Sequence, residues 1–172
     1  GRERTTEYKI LLRQDICKKT VSVEDFEKSL TSGEGEGNYS QLKKLDSFVK
    51  SRRKIAKTYN EIFEDNPYFD VTSEKENRKS SYHLYPILLK GHLIKDKKEI
   101  FAKLRANGLG VQVHYIPVYK QPYYQKLGFK NDLCPVCEEF YKKVFSIPMY
   151  PTLTDDDIEF VNETLNKVLG EF

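Results

Sequence analysis

Gly110-Val-Gln-Val-His-Tyr-Ile-Pro-Val-Tyr-Lys-Gln-Pro-Tyr-Tyr124 alternates as a strand does, breaks at Pro117 and runs on into tyrosines. On a strand, Val111, Val113 and Tyr115 share one face, and Gln112, His114 and Ile116 share the other. Imidazole and phenol groups both hydrogen-bond phosphate or hydroxyl oxygens. A strand that delivers them to its own exit therefore reads as the wall of a ligand site.

Working outward, Asp96-Lys-Lys-Glu99 is a capping-box signature. It opens a helix with Ile100, Phe101 and Leu104 on its apolar face, and Gly108 closes it. Tyr82-His-Leu-Tyr-Pro-Ile-Leu-Leu89 is a strand, and Pro86 within it predicts an edge position or a bulge. Residues 70–80 are polar and aperiodic, and read as a surface loop. Residues 39–64 form the clearest helix, with Leu42, Leu45, Phe48, Val49, Ile55, Ala56, Tyr59, Ile62 and Phe63 on one side. Asn66-Pro67 ends it.

Downstream, Pro135 starts a helix over 135–143, Val144-Phe-Ser-Ile-Pro-Met149 is a strand, and Thr154 caps a last helix bearing Ile158, Val161, Leu165, Val168 and Leu169. From residue 39 the order is α, β, α, β, α, β, α. Three strands and four amphipathic helices predict an α+β domain, a small sheet with helices on one face. The alternation does not give strand direction. Residues 1–38 read as an N-terminal remnant with a short helix over 23–30, capped by Ser22, and a Gly/Glu-rich linker over 31–38. Residues 39–172 read as one domain.

Hydrophobic residues make up 38% and charged residues 32%, which excludes a disordered chain. The net charge of +3 does not argue for nucleic acid. The basic run Lys50-Ser-Arg-Arg-Lys54, flanked by mixed charges, reads as a solvated helix face. No apolar run spans a membrane, and the first six residues hold no apolar signal core, so the expected location is the cytoplasm. The three cysteines are too few for a disulfide framework. Cys134-Pro-Val-Cys137 reads as structural, ahead of a redox motif and of half a zinc site. His83 and His92 read as structural, and Tyr123 and Tyr124 as packing.

From about residue 39 to its end the chain resembles the C-terminal small domain of the DegT/StrS-type sugar aminotransferases. The resemblance rests on Tyr39-Ser-Gln-Leu-Lys-Lys-Leu-Asp-Ser-Phe-Val49, on Asn66-Pro-Tyr-Phe69 with Ser80-Ser-Tyr-His-Leu-Tyr-Pro86, and on the His114-Tyr-Ile-Pro117 strand. It rests also on Cys137-Glu-Glu-Phe-Tyr141 with Ser146-Ile-Pro-Met-Tyr-Pro-Thr-Leu-Thr-Asp-Asp156. It implies a pyridoxal-phosphate enzyme of the aspartate-aminotransferase fold and a mainly antiparallel sheet. It also implies a UDP-sugar substrate of the pseudaminic-acid type and a homodimer whose subunits share the sugar-nucleotide site.

His114 and Tyr115 match residues that border that site. Tyr119 stands where many members carry histidine. Val23-Glu-Asp-Phe-Glu-Lys-Ser-Leu30 resembles the family's N-terminal helix. Lys28-Ser-Leu-Thr-Ser-Gly-Glu-Gly35 resembles instead the segment whose lysine forms the cofactor Schiff base, but it lacks the preceding Ser/His residues and has Glu36 in place of a glycine. The first alignment is preferred, and Lys28 is the one catalytic candidate. The large cofactor-holding domain of the family has no counterpart in these 172 residues. The resemblance therefore implies a small domain inactive alone, in which pyridoxal phosphate binding is doubtful.

Overall fold

A computed structural model describes residues 42–172, of which Ser47–Phe172 form one compact unit. Lys28, Cys17, the Ser22-capped segment and the Gly/Glu linker lie outside the described residues. Helix α1 (Leu45–Ile62) leads to strand β1 (Phe69–Val71) and strand β2 (Tyr85–Leu89). Helix α2 (Lys97–Ala106), the short α3 (Pro122–Lys126) and α4 (Pro135–Lys143) follow, then β3 (Val144–Ile147) and α5 (Asp155–Leu169). The fold is α+β, and the sheet is antiparallel throughout in the order β1-β2-β3.

Register divides the sheet into two faces. Phe69 lies opposite Leu89, Val71 opposite Ile87, Phe145 opposite Ile87 and Ile147 opposite Tyr85. Because side chains alternate, these seven share one face, while Asp70, Pro86, Leu88, Val144 and Ser146 share the other. The first face carries the core. Tyr59 and Phe63, at the end of α1, stack on each other and pack against Tyr85 and Phe69. Ile100 and Leu104 of α2 and Ile158, Val161, Leu165, Val168 and Leu169 of α5 complete the same cluster. The Tyr59 hydroxyl donates to the Pro148 carbonyl at 3.1 Å, which satisfies the polar tip of a fully buried ring.

Two strand expectations are corrected. Residues 110–117 do not form a strand. Only Gln112 pairs, exchanging backbone bonds with Ser146 in an isolated antiparallel bridge. Leu109 and Val111 are buried there, so the alternation records burial along an extended segment and not ladder pairing. The third strand is instead Phe69–Val71, which runs two residues into the stretch over 70–80 that reads as a loop. It is only 3 residues long, too short for periodicity to register.

Pro86 lies on the central strand, neither on an edge nor at a bulge. Its partner Ser146 directs both its N–H and its C=O outward to Gln112, so Pro86 and Ser146 form a non-hydrogen-bonded pair. The side of Pro86 that lacks a donor thus faces β1, and β1 has already ended opposite Ile87. No ladder bond is lost.

The basic run does more than face solvent. The Arg53 guanidinium grips both Glu74 oxygens at 3.1 and 3.0 Å, and Arg52 Nε donates to the Ser81 carbonyl at 3.1 Å. Together they fasten the loop between β1 and β2 onto α1. The hydrogen bond from Arg53, then that from the Ser80 N–H, holds the Glu74 carboxyl below the usual range.

Asp96 stands at the start of α2 but makes no side-chain cap. Its backbone is nearly helical (φ −94°, ψ 6°), because the 3-10 turn Gly91–Ile94 runs almost directly into the helix. Thr154 caps α5 as expected. Its hydroxyl accepts from the Asp157 N–H at 3.2 Å, while the Asp157 carboxylate accepts from the Thr154 N–H at 2.9 Å. Thr154→Ala is therefore expected to lower stability by about 1 kcal/mol in chemical denaturation. The Thr154 N–H and then the Thr154 hydroxyl, both donating to the Asp157 carboxylate, hold that carboxyl below its usual pKa. A depressed folded-state pKa means that the cap's contribution is full above the ordinary aspartate range and is lost as pH falls through the folded value.

Candidate functional site

The back of the sheet places the histidine of the opening stretch. Ser146 projects from β3 away from the core, is only 5% exposed, and its hydroxyl lies 3.1 Å from His114 Nδ1. Two backbone bonds to Gln112, at 3.1 and 2.7 Å, fix the chain two residues before His114. Among the described residues Nε2 has no hydrogen-bond partner. The Tyr115 ring stands edge-on to the imidazole, with centroids 4.9 Å apart, and is 72% exposed. The peptide joining the two residues is cis. An anchored imidazole edge beside an open phenol can donate or accept toward an oxygen-rich ligand.

Tyr119 is separated from this pair. It is buried in a 3-10 turn, Val118–Lys120, and its hydroxyl donates to Glu138 Oε1 at 2.7 Å. Lys120 Nζ holds the other Glu138 oxygen. Burial first, and then the bond to Glu138, raise the Tyr119 phenol well above its ordinary pKa. The hydrogen bonds from Lys120 and then Tyr119 hold the Glu138 carboxyl below the usual range. Tyr119 therefore ties the end of the wall segment to α4. Tyr123 is exposed, and Tyr124 packs edge-on against Phe129. His83 and His92 are exposed and lie outside the core.

Sequence reasoning missed Ser146, Gln112 and Glu138 as members of the site. Ser146 carried one usable signal, a lone hydroxyl in the apolar run Val144-Phe-Ser-Ile147. Ser146→Ala is expected to leave the fold intact and to free the imidazole. The lost hydrogen bond costs about 1 kcal/mol, and the His114 ring signals in NMR broaden or shift while the β3 amides stay in place.

The described residues do not fit pyridoxal phosphate. That cofactor requires a lysine, a carboxylate at the pyridinium nitrogen and a cradle for a dianionic phosphate. A concavity of ≈ 470 Å³ sets Glu61, Glu64, Asp65 and Asp70 against Lys57 and Lys90, a balance that repels phosphate. It lies at the α1–β1 end, away from His114. Among the described lysines, Lys97 is the one that burial lowers, to about 8. Its amine is already engaged, donating to the Tyr141 carbonyl at 2.6 Å.

The model of the DegT/DnrJ/EryC1/StrS aminotransferase family matches residues 38–166, and the chain belongs to this family. A UDP-4-amino-4,6-dideoxy-N-acetyl-beta-L-altrosamine transaminase of Campylobacter jejuni is 43% identical over 130 residues, covering 76% of this chain and 34% of that protein. The transaminase of the same name from Helicobacter pylori is 36% identical over 133 residues, covering 77% of this chain and 35% of its own. Among solved structures, Helicobacter pylori PseC, described as an aminotransferase involved in the biosynthesis of pseudoaminic acid, superposes with a TM-score of 0.72 at 36% identity. That match covers 78% of this chain and 36% of the other. A putative sugar aminotransferase of Streptococcus pneumoniae in its PLP form gives 0.71 at 25% identity, over 77% and 34%. The chain spans about a third of the length of the relatives it matches.

Proposed function

We propose that residues 39–172 are the small C-terminal domain of a pyridoxal-phosphate-dependent UDP-4-keto-sugar aminotransferase of amino-sugar or polysaccharide biosynthesis. The domain supplies the His114–Tyr115 wall of the sugar-nucleotide site and not the cofactor cradle. The carrying observation is the anchored imidazole, with Nδ1 on Ser146, Nε2 without a partner among the described residues, and the exposed Tyr115 ring beside it. The substrate class comes from the names of the relatives, whose transaminases act on UDP-linked amino sugars. In this reading the protein works in the cytoplasm as a homodimer, and Tyr119 sets the pose of the wall through Glu138.

This chain alone does not transaminate, because its described residues lack the positioned charges that the reaction requires. Incubation with pyridoxal phosphate, borohydride reduction and peptide mass analysis is expected to give scattered or absent adducts. A single stoichiometric adduct at Lys28 would overturn the inactivity and restore that segment as the Schiff-base site. A second reading, a non-catalytic binding or oligomerisation module, is favoured by exposed apolar side chains. Tyr115, Val118, Tyr123, Leu127, Leu133 and Val136 are between 55% and 85% exposed. A strictly monomeric chain across a wide concentration range in sedimentation would count against it.

A further inference from the structure

Cys134-Pro-Val-Cys137 takes no part in the His114 wall, and the structure removes the reason to regard it as packing. Both thiols are free and exposed, and α4 buries no residue. Cys134 is the N-cap of α4 and makes no side-chain capping bond. Cys137 is the third residue of the first turn, which the Glu138 N–H closes onto the Cys134 carbonyl at 3.0 Å.

Side chains at these two positions meet over the first turn of a helix. Thr154 and Asp157 hold the same positions in α5, where hydroxyl and carboxylate are 2.7 Å apart. A disulfide needs Cβ atoms about 3.5–4.5 Å apart, within reach of such a pair.

We propose that Cys134 and Cys137 are a redox-active dithiol, a modification site that a low-molecular-weight disulfide closes reversibly into an intramolecular disulfide. One thiolate attacks the small disulfide, forms a mixed disulfide and releases one thiol. The second protein thiolate attacks the mixed disulfide and releases the second thiol. Two electrons and two protons pass from the protein to the oxidant. The proposal is independent of the sugar-nucleotide reading, and nothing in it requires cofactor or substrate.

The test uses the full chain carrying Cys17→Ser, equilibrated with oxidised and reduced glutathione, acid-quenched, alkylated and analysed by mass. The expected product has lost two hydrogens, resists alkylation at both cysteines and reverts with reduced glutathione. Adding Cys134→Ser or Cys137→Ser is expected to stop the reaction at one stable mixed disulfide. Phenylarsine oxide tests the geometry without an oxidant. It is expected to bridge the pair one to one with loss of water and to block alkylation, and to fail in either serine variant. Two separate mixed disulfides with no linked peptide at any glutathione ratio would overturn the proposal. So would an arsenical that leaves either thiol open to alkylation.

Discussion

Replacing Phe145 with alanine is expected to cost about 3–5 kcal/mol of stability, the largest effect of any single side chain considered. Phe145 is fully buried at the centre of β3 and lies opposite Ile87, which is also fully buried. The strand is buried along its whole length, so the space left by the ring has rigid walls on every side. Collapse into that space would require the sheet and α5 to move together. Val136→Ala, at a side chain 85% exposed, is the matching control and is expected to stay within about 0.5 kcal/mol. Urea unfolding of both variants at constant m-value separates the two cases.

His114→Ala is expected to weaken binding of a UDP-sugar by about tenfold or more. A hydrogen bond to a charged group contributes about 1.5–3 kcal/mol, and each 1.4 kcal/mol is a factor of ten in affinity. The fold should tolerate the change, since His114 is half-buried on the back of the sheet and, among the described residues, bonds Ser146. His114→Gln retains a donor and an acceptor and is expected to recover part of the affinity. Tyr119→Phe is expected to act differently, because its hydroxyl faces Glu138 and not solvent. It should loosen the Val118–Lys120 turn and reduce affinity only modestly. Calorimetric titration of the three variants distinguishes contact from positioning.

How much of this was legible follows from which interactions are local. The α5 cap, the start of α4 and the strands around Ile87 and Phe145 are written in residues within one turn or one strand of each other. Pro86 misleads because its tolerance depends on where a partner strand ends, which the local sequence does not contain. The stretch around His114 misleads in the same way. Val111 is buried and Gln112 pairs once, yet among the described residues the pairing goes no further than that bridge. For the site, His114 and Tyr115 are adjacent, and their pairing could be read directly. The inward turn of Tyr119 depends on a carboxylate 19 residues away, and the anchoring of His114 on a hydroxyl 32 residues away. The family resemblance supplied the sheet direction and the substrate class, neither of which alternation or spacing encodes.

The most direct test is an NMR titration of the chain with a UDP-sugar, following the His114 imidazole, the Tyr115 ring and the Ser146 amide. The expected result is saturable shifts confined to these groups and their neighbours, abolished by His114→Ala. Unchanged His114 and Tyr115 signals at millimolar ligand, or shifts centred on the acidic concavity beside Lys57 and Lys90, would contradict the assignment of the wall.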